Sequence, residues 1–151
     1  MAAVVAVALW SVLTGCDRRT VYSHYEHTPV YGWEKTHHLS YEVAPVKSGR
    51  TYREEIGVRI NNGFPFRSIT LIVEQQVFPS GVHRSDTLTC KFTDDNGNMQ
   101  GVGVASYQFK YHLCNMTLQQ GDSLHVAIRH NMRREILPGI TDVGVTLQGI
   151  D

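Results

Sequence analysis

Ile56-Gly57-Val58-Arg59-Ile60-Asn61-Asn62-Gly63 decides the fold class. Its apolar residues recur at every second position, and the run stops at a Gly-bearing turn. That is the period of a half-buried strand; a helix would repeat its apolar face every three or four residues. The same period extends to both sides. Leu39, Tyr41 and Val43 alternate with polar neighbours until Pro45, and Ile69, Leu71 and Val73 follow within 68–78, which Pro79-Ser80-Gly81 ends. A strand at 86–93 leads into Asp95-Asn96-Gly97-Asn98, a strong hairpin-turn signal. Residues 101–113 hold one or two strands, Leu124, Val126 and Ile128 mark another, and Val143, Val145 and Leu147 mark the last. The place for a short helix or turn is 131–137, ended by Pro138-Gly139. About seven or eight short strands with no sustained helical period predict an all-β fold, an antiparallel, immunoglobulin-like β-sandwich. Its core is expected to contain Ile56, Val58, Ile60, Ile69, Leu71, Val73, Leu124, Val126 and Ile128.

Upstream of these strands the composition changes. An apolar run from Ala2 to Leu13 ends in Leu13-Thr14-Gly15-Cys16, and the first charges, Asp17, Arg18 and Arg19, follow at once. The run is too short for a membrane-spanning helix, which needs roughly 20 apolar residues, but it suits the core of a signal peptide. Apolar segment, small residues at the cut and then cysteine is the order of a bacterial lipoprotein signal. Thr14 and Gly15 let a peptidase approach, and the Cys16 thiol is the nucleophile that takes the diacylglyceryl group. One departure is that Met1-Ala2-Ala3 carries no Lys or Arg. The organisation expected is a signal peptide at 1–15, a lipidated N-terminus with tether and lead-in at 16–37, and the sandwich at 38–151. Lys and Arg number 14 against 14 Asp and Glu, so the chain is formally neutral. Neither nucleic acid nor an anionic membrane surface is favoured as a partner, since both want a basic excess. Membrane attachment then comes from the lipid on Cys16, and two or more acyl chains of palmitate type anchor stably where one does not. No other cofactor is expected.

Lipidation of Cys16 leaves Cys90 and Cys114 as a candidate disulfide in an oxidising compartment. The bridge would close a loop of about 25 residues, worth roughly 3 kcal/mol in the chain-entropy model. Against it, Cys90 alternates onto the apolar face with Leu88 and Phe92, whereas Cys114 falls on the polar face of 109–114, and such a mismatch opposes bridging within one sheet.

Residues for catalysis are scarce. Gly101-Val102-Gly103 follows a turn and opens no helix, so it is no dinucleotide loop. Asp94-Asp95-Asn96-Gly97-Asn98 begins like a calcium loop but puts Met99 where glycine is needed and Ala105 where the bidentate glutamate belongs. Glu54 and Glu55 are adjacent and so face opposite ways on a strand, which rules them out as a catalytic pair. His24, His27, His37 and His38 lack a companion Cys, Asp or Glu at ligand spacing and read as surface histidines. Tyr22, Tyr31 and Trp33 read as staples holding the lead-in onto the sandwich, or as surfaces for a sugar or a partner.

With these residues laid out, the chain resembles the gliding-motility lipoprotein family of GldH type found among Bacteroidota. The resemblance begins at Cys16 and Val21-Tyr22 and runs through Gly32-Trp33, Arg59-Ile60-Asn61-Asn62, Phe64-Pro65-Phe66 and Ile69-Thr70-Leu71. It continues with Pro79-Ser80-Gly81, Asp86-Thr87-Leu88, Asp94-Asp95-Asn96-Gly97 and Gly101-Val102-Gly103. Its most specific words come last, Ile128-Arg129-His130-Asn131-Met132-Arg133 and Gly139-Ile140-Thr141-Asp142-Val143-Gly144. Where the family usually carries tryptophan after Asp-x-x-Gly, this chain has Met99-Gln100. The resemblance implies a membrane lipoprotein of the gliding apparatus, without catalytic activity. The reading is therefore a non-enzymatic, lipid-anchored envelope protein facing the periplasm, bound to envelope protein partners and to no small-molecule substrate. Asp142, at the start of the last strand, is the candidate partner contact; its structural alternative is to accept hydrogen bonds near Met132-Arg133 or pair with an arginine there. The rival function is a carbohydrate-binding lipoprotein of a polysaccharide-uptake system, and a more distant one an envelope hydrolase.

Overall fold

Alternation along the chain translates directly into architecture. The computed structural model describes residues 19–150 apart from 102 and 104, and among them it contains ten strands and no helix. In chain order these are β1 (Thr20–His27), β2 (Trp33–Glu34), β3 (Leu39–Val43), β4 (Arg50–Asn61), β5 (Ser68–Phe78), β6 (His83–Lys91), β7 (Ser106–Leu118), β8 (Ser123–His130), β9 (Ile136–Leu137) and β10 (Ile140–Gly149). One antiparallel sheet has the order β1-β10-β4-β7 and the other β3-β8-β5-β6, while β2 and β9 form a small ribbon. The fold is the all-β sandwich expected from the period-two runs.

On β4, Ile56, Val58 and Ile60 lie between Val145, Val143 and Ile140 of β10 and Tyr111, Phe109 and Tyr107 of β7. Across the interior, Ile69, Leu71 and Val73 of β5 and Leu124, Val126 and Ile128 of β8 complete the layer, and every one of these expected β4, β5 and β8 core residues is at most 1% exposed. Burying each such side chain stabilises the fold by about 1.5–3 kcal/mol. The Tyr41 hydroxyl of β3 crosses the interior and donates to the Val143 carbonyl of the other sheet. Burial holds that phenol protonated far above the ordinary tyrosine range.

Two expectations are corrected. Cys114 does not lie on a polar face: it is 5% exposed and opposes Glu54, whereas Glu55 opposes His112. Leu113 is the extra residue of a β-bulge, which exchanges the two faces of the strand beyond it. Nor is 131–137 a short helix or turn, because Ile136-Leu137 pair as β9 with Glu34-Trp33 of β2. That partner is about a hundred residues earlier, and a local pattern carries no sign of it. Within the lead-in, Thr20–His27 joins the first sheet as β1 and Trp33–Glu34 forms half of the ribbon as β2. The hairpin turn is where the sequence puts it: Asp94 Oδ1 accepts from the Asn96 and Asn98 amides, and Thr93 bridges Met99.

Because the long strands are antiparallel, their connections gather at two ends. At the near end Thr20 opposes Gln148, and the Gly149 amide donates to the Arg19 carbonyl at 2.8 Å. Loops 44–49, 79–82 and 119–122 lie there too, the Val46 amide donating to the Asp122 carbonyl. The far end carries 28–32, 62–67, 92–105 and 131–139. The 12 residues of β4, at about 3.3 Å each, put roughly 40 Å between the ends.

Candidate functional site

Toward the far end, the outer face of the first sheet carries a pair of mid-strand glycines. Gly144 of β10 opposes Gly57 of β4, both on the outer face of the first sheet, and Tyr25 of β1 opposes Gly144. Without β-carbons the two glycines leave a shelf on which the Tyr25 ring lies; a β-carbon on Gly57 would stand 2.1 Å from the phenol oxygen, and one on Gly144 2.7 Å from ring carbons. The Arg59 guanidinium covers the ring at 3.9 Å from its centroid, a cation–π contact. Gln108 closes the group, its amide donating to the Tyr25 hydroxyl and its oxygen accepting from Arg59 Nε, both at 3.3 Å. Burial raises the Tyr25 pKa, more than Arg59 and Gln108 lower it, so the phenol keeps its proton.

One step further along the strands, Asp142 opposes Arg59 on one side and His27 on the other. Its nearly buried carboxylate meets Nδ1 of the exposed His27 ring, an ion pair when that ring is protonated. Asp142 thus braces β1. Thr28 prolongs the brace, its hydroxyl donating to the Ile140 carbonyl and its amide to the Thr141 carbonyl.

Above this frame stand the exposed apolar side chains Val30, Tyr31, Phe66 and Ile136. Aromatic packing supports Phe66 and the ribbon that carries Ile136. Phe66 rests edge-on against Phe64, and Phe64 against Phe92. Trp33, fully buried, donates its indole N–H to the His37 carbonyl and meets the His130 ring edge-on at 5.2 Å. His130 Nδ1 accepts from the Met132 amide, so Nε2 carries the proton and donates to the Trp33 carbonyl; burial holds the ring neutral by lowering its pKa. Of the three aromatics read as staples, Trp33 and the half-buried Tyr22 pack inward and Tyr31 projects outward.

Gly32-Trp33, Arg59-Ile60-Asn61-Asn62, Phe64-Pro65-Phe66, the 128–133 word and the 139–144 word all converge here, while Val21-Tyr22 and Pro79-Ser80-Gly81 lie at the near end. Sequence reasoning did not single out Tyr25, Arg59 and Gln108 as a group. The signal available for them was a glycine in mid-strand at 57 and at 144.

A second polar cluster lies inside the core. Glu54 is fully buried, with the Gln75 amide alongside and the Cys114 thiol donating to Oε2 at 3.5 Å. Burial pushes its carboxyl up to about 7, against the weaker opposing pull of Gln75 and Cys114. Cys90 and Cys114 are free buried thiols, each pushed up to about 12 by burial. Cys16 lies outside the described residues. Among the described residues no three His, Cys, Asp or Glu side chains converge as metal ligands would.

Comparison with known proteins gives a consistent result. The GldH lipoprotein family matches residues 20–147. A gliding motility lipoprotein GldH homolog of Christiangramia forsetii is 29% identical over 149 residues, covering 93% of this chain and 90% of its own. Gliding motility lipoprotein GldH of Flavobacterium johnsoniae is 26% identical over 147 residues, covering 93% and 91%. Among solved structures, a family GH115 4-O-methyl-alpha-glucuronidase with specificity for decorated arabinogalactans has a TM-score of 0.47 at 12% identity, covering 90% of this chain and 18% of that one.

Proposed function

The chain belongs to the GldH lipoprotein family, and on that premise we propose that it serves the gliding apparatus as a lipid-anchored envelope protein that binds a protein partner and catalyses nothing. The partner meets the far end of the sandwich, and Cys16, carrying the lipid, holds the near end at the membrane on its periplasmic side. The observation that carries this is the convergence of the family's words on the end that also exposes Val30, Tyr31, Phe66 and Ile136. Aromatic and aliphatic anchors on a rigid support, rimmed by polar and charged groups such as His27 and Arg133, are what a protein interface uses. Asp142 shapes this surface from beneath by holding His27.

Co-purification from intact envelopes tests the reading. Tyr31→Ala combined with Ile136→Ser alters exposed side chains, so folding should be kept while the co-purifying envelope component is lost. Cys16→Ser should release a folded protein from the membrane fraction. An unchanged complex in the double variant defeats the far-end assignment, and Tyr31-dependent binding to a glycan array would replace it with a carbohydrate-binding function.

A further inference from the structure

We propose that the near end of the sandwich rests on the bilayer surface, with Val21, Phe78, Val82 and Ile150 at the boundary between headgroups and acyl chains. The proposal builds on the reading of Cys16 as the lipidated residue. Three observations support it.

The exposed large apolar residues divide between the two ends: Val30, Tyr31, Phe66, Met99 and Ile136 at the far one, Val21, Phe78, Val82 and Ile150 at the near one. The near-end residues sit at strand ends and a hairpin tip, Val21 on β1, Phe78 and Val82 around the β5–β6 turn and Ile150 just after β10, so each points an apolar side chain from the same pole.

The chemistry of the near end suits a lipid surface. Its loops read Ala44-Pro45-Val46-Lys47-Ser48-Gly49, Pro79-Ser80-Gly81-Val82 and Gln119-Gln120-Gly121-Asp122, with Lys47 and Asp122 their charged residues. The Asp122 carboxylate is turned back onto the Gln119 amide at 2.8 Å. The far-end loops, by contrast, carry Arg67, Asp94, Asp95, Arg133, Arg134 and Glu135. Between β1 and the 44–49 loop runs a groove of about 540 Å³ lined by Val21, Val43, Pro45 and Val46, with Lys47 and Arg50 against the single carboxylate of Glu42 as its charged residues. Apolar tips beside a few cations match a headgroup–acyl boundary.

Chain length leaves little alternative. Arg19 is fixed in the sheet by the Gly149 amide, and Cys16 to Arg19 is three Cα steps, roughly 11 Å at full stretch. A lipid on Cys16 therefore brings the near end to the membrane, and contact costs little further loss of freedom.

The test uses the full lipidated protein in phosphatidylcholine vesicles that contain a nitroxide-labelled lipid with the spin label just below the headgroups. A fluorophore is attached at Val82→Cys or, as the control, at Val30→Cys; the buried Cys90 and Cys114 thiols do not compete for the label. Flotation first establishes anchoring. Among floated protein, quenching at 82 is expected to exceed that at 30 several-fold. Equal quenching at the two sites overturns the contact while leaving the anchor standing. Protein that does not float overturns the anchor and the contact together. A label at 82 that is shielded from water but not quenched by lipid means that a second copy or another protein covers this end, and the proposal fails.

Discussion

A carboxyl group with no exposed surface must settle its charge, and Glu54 does so by holding its proton to a higher pH than an ordinary carboxyl. Its pKa rises from an ordinary 4.5 to about 7. Below about pH 4.5 the group is protonated in both the folded and the unfolded chain, and the fold keeps its full stability. As pH rises through about 7 the unfolded chain ionises first, so stability is lost across that window and is level above it, by about 3 kcal/mol at ~1.4 kcal/mol per unit. His130, whose pKa is lowered by burial, acts oppositely and withdraws stability as pH falls. The two slopes overlap, so the informative quantity is the difference between Glu54→Gln and the parent chain. Denaturant unfolding should give nearly equal stabilities near pH 4.5 and a variant more stable by about 3 kcal/mol near pH 8. A difference that does not grow with pH would mean that Glu54 is already ionised in the fold.

At the scale of elements, the shelf of Gly57 and Gly144 makes one strand depend on another's missing side chain. Gly144→Ala should push the Tyr25 ring off Arg59 and cost about 1–3 kcal/mol, the usual range for overpacking. In Tyr25→Ala the same change should cost much less, so a double-mutant cycle in thermal or urea unfolding should show coupling. Additive costs would show that the ring does not need the shelf. This contact also marks how far the sequence could be read. Ile56, Val58, Ile60, Leu71 and Ile128 were legible as core because alternation is a property of one strand alone. The face of Cys114 was not, because a bulge exists only relative to a partner strand. Asp142 was legible as a carboxylate at a strand start, but its pairing with His27 is set by the register of β1 on β10, between residues at opposite ends of the chain. The strand at 136–137 was hidden for the same reason, its partner being Trp33-Glu34.

For the molecule as a whole, the antiparallel order separates two surfaces that a less regular fold would mix. The chain arrives at one pole, and the charged, aromatic-rich loops stand at the other, roughly 40 Å away by strand length. The first strand runs between them: β1 starts with Thr20 opposite Gln148 and ends with His27 opposite Asp142. On the proposed arrangement, lipid at one pole and partner at the other, this placement has a mechanical consequence. Tension between the poles runs along β1, so it strains the β1–β10 hydrogen bonds side by side and loads them in shear. Tension between Arg19 and Ile150, both at the near pole, would peel the same ladder open one rung at a time. Single-molecule stretching between a handle at position 19 and one in the 131–135 loop should therefore need a clearly higher rupture force than stretching between 19 and 150. Equal forces in the two geometries would mean that β1 is not the element that bears the pull.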